Sequence, residues 1–374
     1  ERLSKETSLV SYTYKHIQNR IREILINSRS YLIKKGETMM IFLVNYFIKW
    51  VIQGWLLARL AKRVRKYLVK KYDLENKFKE TCVNKKEIDW TKIKWYGELA
   101  SYIYKDNASI QKKYKNLDKK IYINEINDIK YCVITDTHRQ SYYVSIRGTK
   151  NSHNAMQDIK FFKDKSFRLG IELHTGFHRT AEMIADDIMG RLDKTWDITV
   201  TGHSLGGAEA VIVSWYLDYA GFKVAECITY GQPKVTDSHG TRAMRGKIKL
   251  TRVVNETDIV ALVPPTGTHR HRYAHSGTLI KLLDNGKYCH LEEPDSLNFG
   301  VNSFWLFAAR EDFSFWEVGK ELPDHYMTSY IDNIDKIVDN GEEVLWNKRL
   351  EHIEDSGMLG EWKKDDKKKG KGKK

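Results

Sequence analysis

The stretch Ile198 to Ala208, which reads Ile-Thr-Val-Thr-Gly-His-Ser-Leu-Gly-Gly-Ala, constrains this chain more than any other. Val200 and Thr201 end a short β-branched run. Gly206, Gly207, Ala208 and Ala210 then open a helix whose small residues let it pack close to that run. Between them Gly202, Ser204 and Gly206 form G-x-S-x-G, the pattern of a sharp strand-to-helix turn that lifts a serine hydroxyl above a sheet. His203 and Leu205 fill the variable positions. The backbone N–H of Leu205 falls at the helix N-terminus, where it can face a developing oxyanion. A chain with 24 glycines can carry this pattern by chance, but the flanking strand and the run of small residues favour the turn.

The rest of the middle of the chain agrees with such a turn. From Trp90 onward short strands alternate with helices. Strands are predicted at 121–123, 131–135, 141–146, 224–230 and 248–255. Helices are predicted at 176–192, from the elbow to about 219, and at 325–339. Alternation of this kind predicts a mainly parallel sheet covered on both faces, with reactive groups at the C-terminal ends of its strands.

Chemistry at Ser204 needs a base to take its proton and an acid to orient the base. The chain order for this turn is serine, acid, histidine. Asp258 follows a predicted strand and is favoured over Asp237 and Glu256. Six histidines lie beyond it: His269, His271, His275, His290, His325 and His352. His325, in the turn Pro323-Asp-His-Tyr326 that enters a helix, is favoured, with His275 next. The run from His269 to His275 has metal-like spacing, but two interleaved arginines oppose a cation, and no metal is expected. Thr149, after Arg147 and Gly148, fits a second oxyanion donor. The segment 151–158 reads as a short lid helix or a plain surface helix.

These residues resemble the class 3 lipases, the fungal triacylglycerol lipase type of α/β-hydrolase. The resemblance rests on Gly202-His-Ser-Leu-Gly-Gly207, Arg147-Gly-Thr149, Asp258-Ile-Val260 with Pro264, and Asp324-His325. Leu99-Ala-Ser-Tyr102, His174-Thr-Gly-Phe177 and Tyr230-Gly-Gln-Pro233 agree with it. It covers about residues 95–340. It implies an acyl-ester hydrolase without metal or cofactor, with Ser204, Asp258 and His325 as triad and Thr149 with Leu205 as oxyanion hole. It also implies a lid after Thr149. A phospholipase or galactolipase on the same triad, and a non-catalytic lipase-like scaffold, stand as alternatives.

Charge divides the chain differently. The formal net charge is +14, yet residues 1–90 hold 20 Lys and Arg against 9 Asp and Glu, and residues 363–374 hold 8 Lys against 2 Asp. The basic excess therefore sits at the ends, and no specific nucleic-acid binding is expected of the middle. Three domains follow: a basic helical region at 1–90, an α/β-hydrolase domain at 91–345, and a C-terminal helix with a Lys-rich disordered tail at 346–374. Within 39–58, 16 of 20 positions are apolar, with Asn45, Lys49 and Gln53 on one stripe. A bundle helix, an in-plane membrane helix and a membrane span all fit this stretch. Seven Lys and Arg between 59 and 71 follow it, so 39–71 is a candidate contact for an anionic membrane surface. The aromatic stretch 299–317 reads as core or as the lining of an acyl-chain groove. No secretory signal opens the chain and residue 1 is Glu, so a trimmed or processed chain is expected. Four scattered cysteines, without a C-x-x-C pair, favour a reducing compartment.

Overall fold

In the computed structural model the residues described are 88–148, 162–255, 258, 260–264, 273–292, 323–346, 349 and 352. The strands in chain order are β1 (Tyr122–Ile126), β2 (Ile129–Asp136), β3 (Ser141–Ile146), β4 (Lys163–Ser166), β5 (Ile171–His174), β6 (Asp197–His203), β7 (Val224–Tyr230), β8 (Thr236–Asp237), β9 (Leu250–Asn255), β10 (Tyr273–Ala274), β11 (Thr278–Leu282), β12 (Lys287–Leu291) and β13 (Glu342–Glu343). The helices are α1 (Trp90–Tyr102), α2 (Asn107–Tyr114), α3 (Thr175–Met189), α4 (Leu205–Tyr219), α5 (Ser238–Ala243) and α6 (Met327–Asn340).

Among the described residues nine strands form the main sheet, in the order β1-β2-β3-β6-β7-β9-β11-β12-β13. Its centre, β3-β6-β7-β9-β11, is parallel throughout. Parallel strands need cover on both faces, and the side chains alternate accordingly. Ile198, Val200 and Cys227 face a core shared with α3 and α4. Ile228, Tyr230, Val253 and Ile280 face a core shared with α1 and α6. The helices encode their depth. In α3 Phe177, Ala181, Ile184, Ala185 and Ile188 form one buried stripe, while α4 is buried nearly all round, from Gly206 to Leu217. A striped helix lies at the surface and an all-apolar one inside. Asp89 and Asp106 cap α1 and α2, accepting from the amides of Lys92 and Ser109 at 2.9 Å each. Such caps stabilise a helix by about 1 kcal/mol each.

The observed elements test the predicted ones. β3 and β7 have the predicted bounds, β9 starts at Leu250 rather than Ile248, and α3 stops before Gly190. The last predicted helix divides into a 3₁₀ turn, Pro323–His325, followed by α6. A small antiparallel sheet, β10-β8-β5-β4, was not predicted. Its strands run two to four residues, and β4 reads Lys-Asp-Lys-Ser, which carries no apolar alternation. Cys132 and Cys227 are buried free thiols, and Cys289 is buried as well. Among the described residues no helix is long and apolar enough to cross a membrane. The basic region as far as residue 87, with its stretch 39–71, the lid at 151–158, the stretch 299–317 and the lysine-rich tail fall outside the described residues.

Candidate active site

The turn between β6 and α4 places Ser204 at φ 58°, ψ −131°. This left-handed conformation is costly for a residue with a side chain and persists only where its surroundings enforce it. Here the two glycines make the enforcement sterically feasible. A Cβ on Gly202 would lie 2.3 Å from the carbonyl oxygen of Gly206, and one on Gly206 would lie 2.3 Å from that of Ile146. The strand, the helix and the end of β3 thus approach to backbone contact. Ser204 occupies the N-cap position of α4, yet its hydroxyl makes no capping bond. It points instead at His325, whose Nε2 is 2.8 Å from Ser204 Oγ. The first amides of α4, including that of Leu205, lack carbonyl partners within the helix.

Nδ1 of His325 lies 2.9 Å from Oδ2 of Asp258. All three side chains are buried: Ser204 is 2% exposed, His325 1% and Asp258 2%. The structure therefore brings together the serine, acid and histidine favoured in the sequence, in one hydrogen-bonded row. Oδ2 of Asp258 also accepts from the hydroxyl of Tyr330 at 2.6 Å, and Oδ1 accepts from the amide of Val260 at 2.8 Å. Burial alone would raise the pKa of Asp258. The His325 imidazole and these hydrogen bonds outweigh it and hold the carboxyl below its usual range. Tyr330, buried against that carboxylate, is pushed well above the usual phenol range and remains a donor.

The rival residues have other partners. Asp237 caps α5 and pairs with Lys163 at 2.6 Å. His275 Nε2 is 2.7 Å from the carbonyl of Ala261, and burial lowers its pKa well below the usual value. His290 lies in β12, 3.9 Å from Glu292. Asp284 donates its amide to the carbonyl of His352. Glu256, His269, His271 and Thr149 lie outside the described residues, whereas Gly148 is within them. Among the described residues no group of three or more His, Cys, Asp or Glu side chains could hold a metal ion.

Three neighbours of the row escaped the sequence reading. Tyr330 sits five residues after His325, one helical turn into α6, and only the fold shows which carboxylate it meets. Gly231 has φ +58°, and a Cβ there would come within 2.6 Å of Asp258 Oδ2. Its place in Tyr230-Gly-Gln-Pro233, directly after a predicted strand, was the available signal. In the sequence His203 stands only as a variable residue of the turn. Its ring stacks at a tilt on that of His325, with centroids 4.6 Å apart.

A parallel sheet with a serine elbow after β6, an acid after β9 and a histidine beyond it defines an α/β-hydrolase. The chain matches the lipase (class 3) family model over residues 143–268, from β3 to just past Asp258. It is 33% identical over 141 residues to a secreted mono- and diacylglycerol lipase of Fusarium solani, covering 36% of this chain and 42% of that protein. It is 38% identical over 125 residues to phospholipase A1-II 4 of Oryza sativa subsp. japonica, covering 30% of each. The chain thus spans less than half the length of these relatives. Lipase II from Rhizopus niveus shares the fold at a TM-score of 0.50 and 22% identity, over 64% of this chain and 94% of that one.

Proposed function

We propose that the chain hydrolyses carboxylic esters of lipids, with Ser204 as nucleophile, His325 as general base and Asp258 as the residue that orients the imidazole. The observation that carries this reading is the row Ser204–His325–Asp258, with separations of 2.8 and 2.9 Å. Ser204 Oγ bonds to the acyl carbon while its proton passes to Nε2 of His325. The carbonyl oxygen takes the negative charge, facing the amides of Leu205 and Thr149. Collapse breaks the bond to the alcohol, which leaves with the proton from Nε2. Water then attacks the acyl-enzyme, gives its proton to Nε2, and the fatty acid departs as Ser204 regains its hydrogen. A non-catalytic scaffold would have no need of all three side chains in register.

The test is Ser204→Ala. It is expected to abolish hydrolysis of a p-nitrophenyl ester and labelling by a fluorophosphonate. Unchanged turnover in that variant would end the proposal. Similarity to a plant phospholipase A1 favours a second reading, in which the acyl ester belongs to a phospholipid or galactolipid. Fatty-acid release from phospholipid vesicles, compared with release from a triacylglycerol emulsion, separates the two. The basic region 1–90 is proposed to bring the site to anionic lipid through 39–71. Flotation of the full chain with phosphatidylserine vesicles, lost when Lys62, Arg63, Arg65 and Lys66 become Gln, would support that role. Equal flotation of both would refute it.

A further inference from the structure

We infer that His203 is a positioning residue for His325: it holds the base through the base's own main chain, and Tyr104 fixes the tautomer that lets it do so. The inference rests on the role given to His325 above. His203 ends β6 and is 5% exposed. Its Nε2 lies 2.7 Å from the backbone carbonyl oxygen of His325, and its Nδ1 lies 3.0 Å from the hydroxyl of Tyr104.

The proton positions follow from elementary chemistry. A carbonyl oxygen only accepts, so Nε2 must carry hydrogen. Burial, and then the neighbouring His325, lower the His203 pKa to about 3, so the ring is neutral and holds one proton. Nδ1 is therefore a lone pair, and Tyr104 must be the donor to it. The Tyr104 oxygen in turn accepts from the amide of Gly148. The result is a one-directional chain. It runs from Gly148 N–H to Tyr104 O–H to His203, and from His203 Nε2–H to the carbonyl of His325.

The need for such a hold is visible at the other end. His325 lies in a three-residue 3₁₀ turn, not in the sheet. Two successive carbonyls of that turn are tied to the sheet's C-terminal edge. Asn255, the last residue of β9, donates its side-chain amide to the carbonyl of Asp324 at 2.7 Å. His203, the last residue of β6, donates to the next carbonyl. With both ties the turn has a fixed orientation; with one it can pivot about the other. Displacement by about 1 Å of a base from its nucleophile can cost on the order of 100-fold in rate. The chain also begins at Gly148, next to the proposed oxyanion donor Thr149, so the same bonds link the loop after β3 to the base.

Steady-state hydrolysis of a soluble p-nitrophenyl ester tests this with His203→Phe, His203→Gln, Tyr104→Phe and the double variant Tyr104→Phe/His203→Phe. Phenylalanine keeps the ring and removes both bonds, whereas glutamine keeps a donor near the Nε2 position. The expected result is a kcat fall of about 30-fold in H203F with KM within about twofold, most of it recovered in H203Q. Y104F is expected to fall about 5-fold, because Nδ1 can then take the proton and leave Nε2 facing the carbonyl with a lone pair. The double variant should be no slower than H203F. A purely structural role would lower activity with stability, and would make the two single effects multiply. H203F within twofold of wild type, H203Q as slow as H203F at equal melting temperature, or multiplying effects would each overturn the inference. Should H203F fail to fold, Y104F decides: a fall supports the inference and unchanged kcat overturns it. Wild-type turnover that survives Ser204→Ala would instead refute the function on which the inference rests.

Discussion

The two halves of the site are built by different means. The serine half is local: Gly202, Ser204 and Gly206 lie within five residues, and backbone contact among β6, α4 and the end of β3 sets the geometry. The half formed by Asp258 and His325 is assembled from a distance. Asp258 and His325 are 67 residues apart, and their supports come from Tyr330, Asn255 and His203 on three other elements. One half depends on the absence of side chains, the other on their hydrogen bonds. Substitutions should therefore separate them, with steric insertion costing stability on the first side and loss of polar groups costing activity on the second.

Asp258→Asn should have the largest effect on the distant half. An amide can fill the same space but offers a donor as readily as an acceptor, so the His325 tautomer is no longer fixed. The expected loss is about 10⁴-fold in kcat, the size such a change has in a serine triad, with a melting temperature within a few degrees of wild type. Steady-state kinetics beside thermal denaturation would read both. A variant that loses its fold along with its activity would mean that Asp258 serves the core as much as the chemistry.

Gly206→Ala should reverse the pattern. The added methyl would meet the carbonyl of Ile146 at 2.3 Å and the backbone of Arg147 and Gly148 at 2.5 and 2.6 Å. Backbone cannot swing aside as a long side chain can, so β3 or α4 must shift. A stability loss of about 2–3 kcal/mol is expected from overpacking of this kind, read from urea denaturation. Activity should fall as well, since the same shift moves Ser204. A neutral result would show that the turn is looser than its contacts suggest.

This division also explains what could be read in advance. Ser204 was legible because its turn is encoded by covalent neighbours and small residues on either side. The strands on both sides of it, β3 and β7, were legible for the same local reason. Asp258 and His325 were legible only in outline, by chain order and by their places after a strand and before a helix. Tyr104, His203 and Tyr330 were not legible as supports, because each meets its partner across 72 or more residues. No local pattern distinguishes a tyrosine that will reach a carboxylate from one that will fill a core. The four-stranded side sheet was missed because strands of two to four residues carry too little periodicity.

The strap that follows Asp258 extends the contrast to pH. Residues 260–264 are held by their carbonyls: His275 binds that of Ala261, and Lys234 binds those of Leu262 and Pro264. Lys234 is fully buried, and burial, assisted by the nearby Arg252, lowers its pKa to about 7. Its unfolded value is near 10.4. Below pH 7 both states are charged and the fold carries the whole desolvation cost. Between about 7 and 10 the native amine is neutral while the unfolded chain keeps its proton, so stability rises with pH. Above that window the cost is gone. Lys234→Met should remove this slope whatever it does to absolute stability. Wild type is expected to gain about 1 kcal/mol on the variant between pH 7 and 8, measured as the difference between paired urea titrations. A difference that stays level across that interval would mean the lysine keeps its charge in the fold, bound to carbonyls that solvate it well enough to offset burial.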